Sequence, residues 1–162
     1  MTSSKVIVAI RGGGPSRTDA DDLVERCMAA GATRVQVNLS DDAVSGAMRI
    51  DELDPPIVAV LSFWAPDPDP VLAVVDDELD GPIAAWAVTA RAPLNPDLPA
   101  DGTRIDALSN VAFLRRPDEL DHAEWLRRWL DDHTQVAIDT QATFGYVQNI
   151  VERPLTEGTP PV

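Results

Sequence analysis

Seven side chains near the end of the chain are of types that could act on one small molecule. His133 offers an imidazole able to take or give a proton near neutral pH, and Tyr146 a phenol that could share the work. Gln148 could orient an oxygenated ligand and Arg115 could meet an anionic group, while Trp125, Trp129 and Phe144 supply flat apolar wall. Such a set fits dehydratase, lyase or isomerase chemistry driven by a histidine, with His133 and Tyr146 as the catalytic pair and the others as ligand contacts. His122 and His133 are the only histidines and stand eleven residues apart, about 16 Å along a helix, so they cannot share one ion. No metal site and no cofactor is expected.

Each of these residues also has a plainer use. Trp125 and Trp129 could be core, Tyr146 and Gln148 a satisfied structural hydrogen-bond pair, and Arg115 a rim charge paired with one of many carboxylates. Cys27, on an apolar helix face, reads as inert core rather than a nucleophile. The Gly12-Gly-Gly-Pro15 run lacks the spacing of a phosphate loop, and Pro15 removes a backbone donor, so it reads as a turn.

Three elements would have to position the set. Val111-Ala-Phe-Leu-Arg-Arg116 reads as a short strand, and Phe144-Gly-Tyr-Val-Gln-Asn-Ile-Val151 as an aromatic strand of period two. Between them Asp121-His-Ala-Glu124 is a capping box, and the spacing predicts a helix that ends at His133. At about 100° per residue Trp125 falls at about 0°, Trp129 at about 40°, His133 at about 80°, Leu126 at about 100° and Leu130 at about 140°. That stripe would bury His133 between the indoles and the leucines, with Glu124, Arg127, Arg128 and Asp131 on the far side.

The run Phe113-Leu-Arg-Arg-Pro-Asp-Glu-Leu120, then Glu124-Trp-Leu-Arg-Arg-Trp129 with Asp132-His133, then Tyr146-Val-Gln-Asn149 resembles the EthD family of dimeric α+β barrels over about residues 110–153. The resemblance implies a small-molecule-binding protein that takes an oxygenated, moderately apolar compound, with a homodimer as the expected assembly. It leaves a cofactor-independent acid/base enzyme as one outcome, a non-catalytic binding or interaction module as a second, and a haem-binding α+β barrel as a third.

The first ninety residues supply the rest of the frame. Lys5–Arg11, Thr33–Leu39, Ile57–Trp64 and Ile83–Arg91 read as strands, with helices at Thr18–Ala30, introduced by Thr18 and Asp21 and closed by Gly31, and at Asp69–Leu79. Ser40–Ile50 reads as a short helix or loop excursion. The order β-α-β-β-α-β is ferredoxin-like, an α+β class with an antiparallel sheet and helices on one face. Residues 1–91 would be one such module and act as scaffold, 92–109 a Pro-rich linker, and 110–162 a second, incomplete copy, the pair of modules building an α+β barrel.

Composition narrows the partners. Net charge −14, with Lys5 the only lysine, disfavours nucleic acid and anionic membrane. The apolar run Val6–Ile10 is too short for a membrane span or a signal segment, and the lone Cys27 fits a reducing cytoplasm. Hydrophobic residues at 44% and charged residues at 25% suit an ordinary packed core.

Overall fold

The computed structural model describes residues 3–50 and 53–160. In chain order it forms β1 (Ser4–Arg11), α1 (Arg17–Ala29), β2 (Arg34–Leu39), a single 3-10 turn (Asp42–Val44), β3 (Ile57–Ala65), α2 (Asp69–Glu78), β4 (Ile83–Leu94), α3 (His122–Arg127), a π turn (Arg128–Asp132), α4 (His133–Thr140) and β5 (Tyr146–Pro154). The strands make one sheet in the order β2-β3-β1-β4-β5. β1 runs antiparallel to both β3 and β4, and β2 antiparallel to β3. The first four strands and two helices are therefore a ferredoxin-like α+β fold, and β5 extends its sheet beyond β4. No helix among the described residues is long and apolar enough to cross a membrane.

Alternation along the strands sorts the layers. Val6, Val8 and Ile10 of β1, with Ala59, Leu61, Phe63 and Ala65 of β3, point toward α1 and α2 and pack on Leu23, Cys27, Val71, Leu72 and Val75. The opposite face of the central strands is buried too, at Ile7, Ala9, Val60, Ser62, Ala84, Trp86 and Val88. Burial on both sides is why β1 and β3 read as unbroken apolar runs rather than as alternating ones.

Local chemistry starts and stops the helices. Ser16, not Thr18, caps α1: its hydroxyl accepts from the Asp19 amide at 3.2 Å while the Asp19 carboxylate accepts from the Ser16 amide at 3.0 Å. Gly31 closes that helix with φ at +110°, where a side chain would be strained. Between α2 and β4 the chain passes so close to β1 that a Cβ on Gly81 would lie 2.1 Å from the Arg11 carbonyl oxygen.

The later part of the chain departs from its sequence pattern. Val111–Arg116 is not a strand. A six-residue run becomes a strand only with a partner, and the neighbouring place beside β4 is taken by the longer, β-branched β5. The second β-α-β repeat is thus not completed, and its one strand joins the first sheet. β4 continues to Leu94, into the expected linker, and the helix expected to stop at His133 continues to Thr140. Phe144 lies before β5 rather than within it.

By compactness the chain divides into two units, one running through Thr89 with Ala107–Val111 and Val151–Pro160, the other made of Ala90–Asp106 and Ala112–Ile150. Within the first, the Leu155 amide donates to the Ala85 carbonyl at 2.8 Å and the Trp86 indole to the Pro160 carbonyl at 3.2 Å. Pro161 and Val162, the end of the expected second copy, lie outside the described residues.

Two outcomes follow. Gly81→Ala is expected to cost about 1–3 kcal/mol, read by urea denaturation, because the atom it meets is backbone and cannot rotate away. Stability should also depend on pH through Lys5, whose amine burial pushes down from 10.5 to about 8, and Cys27, whose thiol burial pushes up from 9.0 to about 11. Above pH 8 the native lysine is neutral while the unfolded one still binds a proton, so stability rises with pH. From pH 9.0 the unfolded thiol ionises while the native thiol does not, and this works against it. Urea midpoints should therefore climb between pH 8 and 9, and Lys5→Met should flatten that climb.

Candidate functional site

The second unit is organised by a helix that changes pitch. Asp121 caps its start by accepting from the Glu124 amide at 2.8 Å. The Glu124 carboxylate does not return the bond, because Arg127 at 2.9 Å and Arg128 at 2.6 Å engage it and hold its pKa down to about 2. At Arg128–Asp132 the ladder widens to a π turn, with the His133 amide donating to the Arg128 carbonyl five residues back. The wider turn brings Arg127 against Asp132 at 2.9 Å.

One extra residue in a helix turns everything after it back by about 100°. His133 moves from about 80° to about 340°, off the buried stripe, and is exposed. Thr134, shifted to about 80°, takes its place, followed by Ala137 at about 20°. Both are buried. The expected buried imidazole is therefore corrected to a surface one, and the residue that replaces it is a threonine.

The widened turn presents carbonyls sideways, and a polar cluster answers them. Gln148, only 1% exposed, donates from Nε2 to the Trp129 carbonyl at 3.1 Å and to Thr134 Oγ1 at 3.0 Å. Its Oε1 accepts from Arg91 Nη1 at 3.3 Å, and Arg91 also donates to the Leu130 carbonyl. Thr134 Oγ1 donates to the same Leu130 carbonyl at 2.7 Å. Every polar atom of the Gln148 amide thus works on the protein itself, which is how a buried amide is tolerated.

Trp125 and Trp129 do come together: their rings stack with centroids 6.3 Å apart and planes 16° from parallel. Both are half-buried. Tyr146 is half-buried at the first position of β5. Phe144, at 58% exposure, and Arg115, in the irregular segment after Val111, are on the surface. Among the described residues no three His, Cys, Asp or Glu side chains converge as a metal ion would require.

The first unit holds a second cluster, which reading the first module as scaffold had missed. Strand register places Arg34, Trp64 and Lys5 side by side across β2, β3 and β1, on the face turned away from α1 and α2. Arg34 Cζ lies 4.5 Å and Lys5 Nζ 4.9 Å from the Trp64 ring centroid. In the next row stand Gln36, Ser62 and Ile7, then Asn38, Val60 and Ala9. The alternation Arg34, Gln36, Asn38 was visible in the sequence. Pairing with Trp64 and Lys5 was not, because it depends on which strands become neighbours.

Gln148→Leu is expected to cost about 2–4 kcal/mol in urea denaturation, since it removes the amide donor from the Trp129 carbonyl and the Thr134 hydroxyl, whereas the exposed His133→Ala should stay within about 0.5 kcal/mol. Equal effects would contradict the clamp. No family model, curated protein or solved structure matches the chain.

Proposed function

We propose that the protein is an EthD-like small-molecule binder that holds an oxygenated, moderately apolar ring compound against Trp125 and Trp129, and that binding rather than acid/base catalysis is its role. The observation that carries this is the half-buried, nearly parallel indole pair, whose rings lie 6.3 Å apart on a helix held by buried polar bonds. Two indoles in this arrangement offer a flat, polarisable surface with little rotamer freedom left to lose.

The chemistry of the neighbouring groups favours a binder over an enzyme. Gln148 is occupied by Trp129, Thr134 and Arg91, and so has no donor to spare for orienting a substrate. His133 sits in solvent, where an imidazole lacks the dry surroundings that give general-base catalysis its strength. The same reading carries a homodimer in the cytoplasm, with the open sheet edges β2 and β5 free to associate. Light scattering checks that assembly.

Titration with a hydroxylated naphthoquinone, followed by tryptophan fluorescence, tests the binding role. Trp125→Ala and Trp129→Ala should each weaken binding about tenfold, while His133→Ala should leave affinity unchanged. Turnover of the compound that disappears in His133→Ala would instead establish the acid/base enzyme. Affinity indifferent to both indoles would remove the platform from consideration.

A further inference from the structure

β2 is an outermost strand of the sheet, and its ladder to β3 fixes which of its backbone groups are engaged. Ser40 stands opposite Val58 and donates to its carbonyl at 2.9 Å, so by alternation Asn38, Gln36 and Arg34 bond to β3 as well. The amides and carbonyls of Val35, Val37 and Leu39 therefore point away from the sheet, and they have no partner among the described residues. Edges left in this state are ordinarily blunted by lysine, proline or a bulge. β5 ends in Glu152-Arg-Pro154, whereas β2 has no lysine, proline or bulge, and no carboxylate. The layer above it matches. α1 packs on both α2 and β2, and its Arg26 pairs with Glu78 of α2. Arg26 lies about 300° around α1 from Leu23, while Val24 and Met28 lie at about 100° and about 140°. Those two side chains therefore line the side turned from α2 toward the β2 edge, where Met28 is 44% exposed. Asp21, on the same side, is paired with Arg17 at 3.8 Å.

We propose that the β2 edge is where a second copy of this chain docks, about a two-fold axis through Val37 that sets the two β2 strands antiparallel and carries the sheet across both chains. This rests on the homodimer named above and gives it an edge and a register; the indole platform does not depend on it. With Val37 opposite Val37, Val35 falls opposite Leu39, and every outward amide and carbonyl of the strand finds its complement in the same strand reversed, which is the condition for a two-fold interface. A shift by two residues leaves Val35 or Leu39 facing a residue outside the strand, and a shift by one sets the apolar row against the polar one. On the α1 side Val35, Val37 and Leu39, half-buried against the core, meet their twins beneath Val24 and Met28 of the two helices. On the other face Gln36 falls opposite Asn38, two amides able to bond reciprocally, and the two Arg34 side chains lie at opposite ends of the seam. Charge agrees with this occupant. Two copies each carrying −14 repel one another, so they meet closely only along a seam that buries no unpaired carboxylate, and β2 with its Arg17–Asp21 flank is such a seam.

Analytical ultracentrifugation of the full chain gives the dimer dissociation constant, with circular dichroism as the check on folding. Met28→Glu, at an exposed helix position, should raise that constant about tenfold, since each copy then carries a carboxylate into the seam. Val37→Pro should do the same: its N–H points outward, so proline removes no bond within the sheet but removes those at the centre of the seam. Oxidation of cysteine variants reads the register. Residues opposed in a non-bonded antiparallel pair stand about 4.5 Å apart at Cα, inside disulfide reach, so an equimolar mixture of Gln36→Cys and Asn38→Cys should cross-link, whereas either alone, with its twin on a diagonal of about 7–8 Å, should not. Cys27 is buried, and the unsubstituted chain sets the background. A dimer indifferent to Met28→Glu and Val37→Pro overturns this interface and leaves the homodimer standing, while a wild type that stays monomeric overturns both. Cross-linking as strong in either variant alone as in the mixture overturns the register.

Discussion

The pairing of β1 with β3 on one side and β4 on the other is the constraint from which the other features follow. These strands are buried on both faces, so each backbone amide and carbonyl along them must find its partner in the ladder. Once register is set, side-chain alternation leaves no choice about which residues meet α1 and α2 and which lie on the opposite face. Val8 and Leu61 then fall in the core, and Lys5 and Trp64 fall together on the other side. Close approach at Gly81, where the Arg11 carbonyl leaves no room for a Cβ, is the local condition for β4 to reach its place beside β1.

A different interaction governs the second unit, where a buried glutamine takes up what a distorted helix offers. The π turn costs regular hydrogen bonding but rotates the following residues so that Thr134 and Ala137, rather than His133, line the buried stripe. Gln148 and Thr134 convert the exposed carbonyls of that turn into satisfied ones. Helix distortion and strand side chain therefore explain one another. Without the amide the Trp129 carbonyl would lose its 3.1 Å donor; without the turn the amide would lack that acceptor.

Charge is distributed with the same economy. The chain carries a net −14, yet its few cations are placed rather than scattered: Arg127 and Arg128 on Glu124, Arg26 on Glu78, Arg91 on the widened turn, and Lys5 with Arg34 around one indole. The first groups are ordinary surface or structural pairs, worth little individually in water. The last brings two cations to the ring of one indole.

From the sequence alone the ferredoxin-like order, its four strands and its two helices could be read to within a residue or two at most ends, because apolar periodicity and a helix-closing glycine such as Gly31 act over a few neighbours, although the cap of α1 is Ser16 rather than the expected Thr18. The indole pair was legible for the same reason, being four residues apart on one helix. His133 was misplaced because a wheel assumes unbroken pitch, and the π turn is stabilised by Gln148, nineteen residues beyond the Trp129 carbonyl it bonds. Val111–Arg116 carried a strand pattern but lost its partner to β5, a competition no local window contains. The row of Arg34, Trp64 and Lys5 likewise exists only once three strands, separated in sequence by α1 and by the segment that holds the 3-10 turn, have aligned. Local periodicity determined which elements form; helix phase, strand partnership and the juxtapositions that could bind a ligand were decided by tertiary contacts between distant residues.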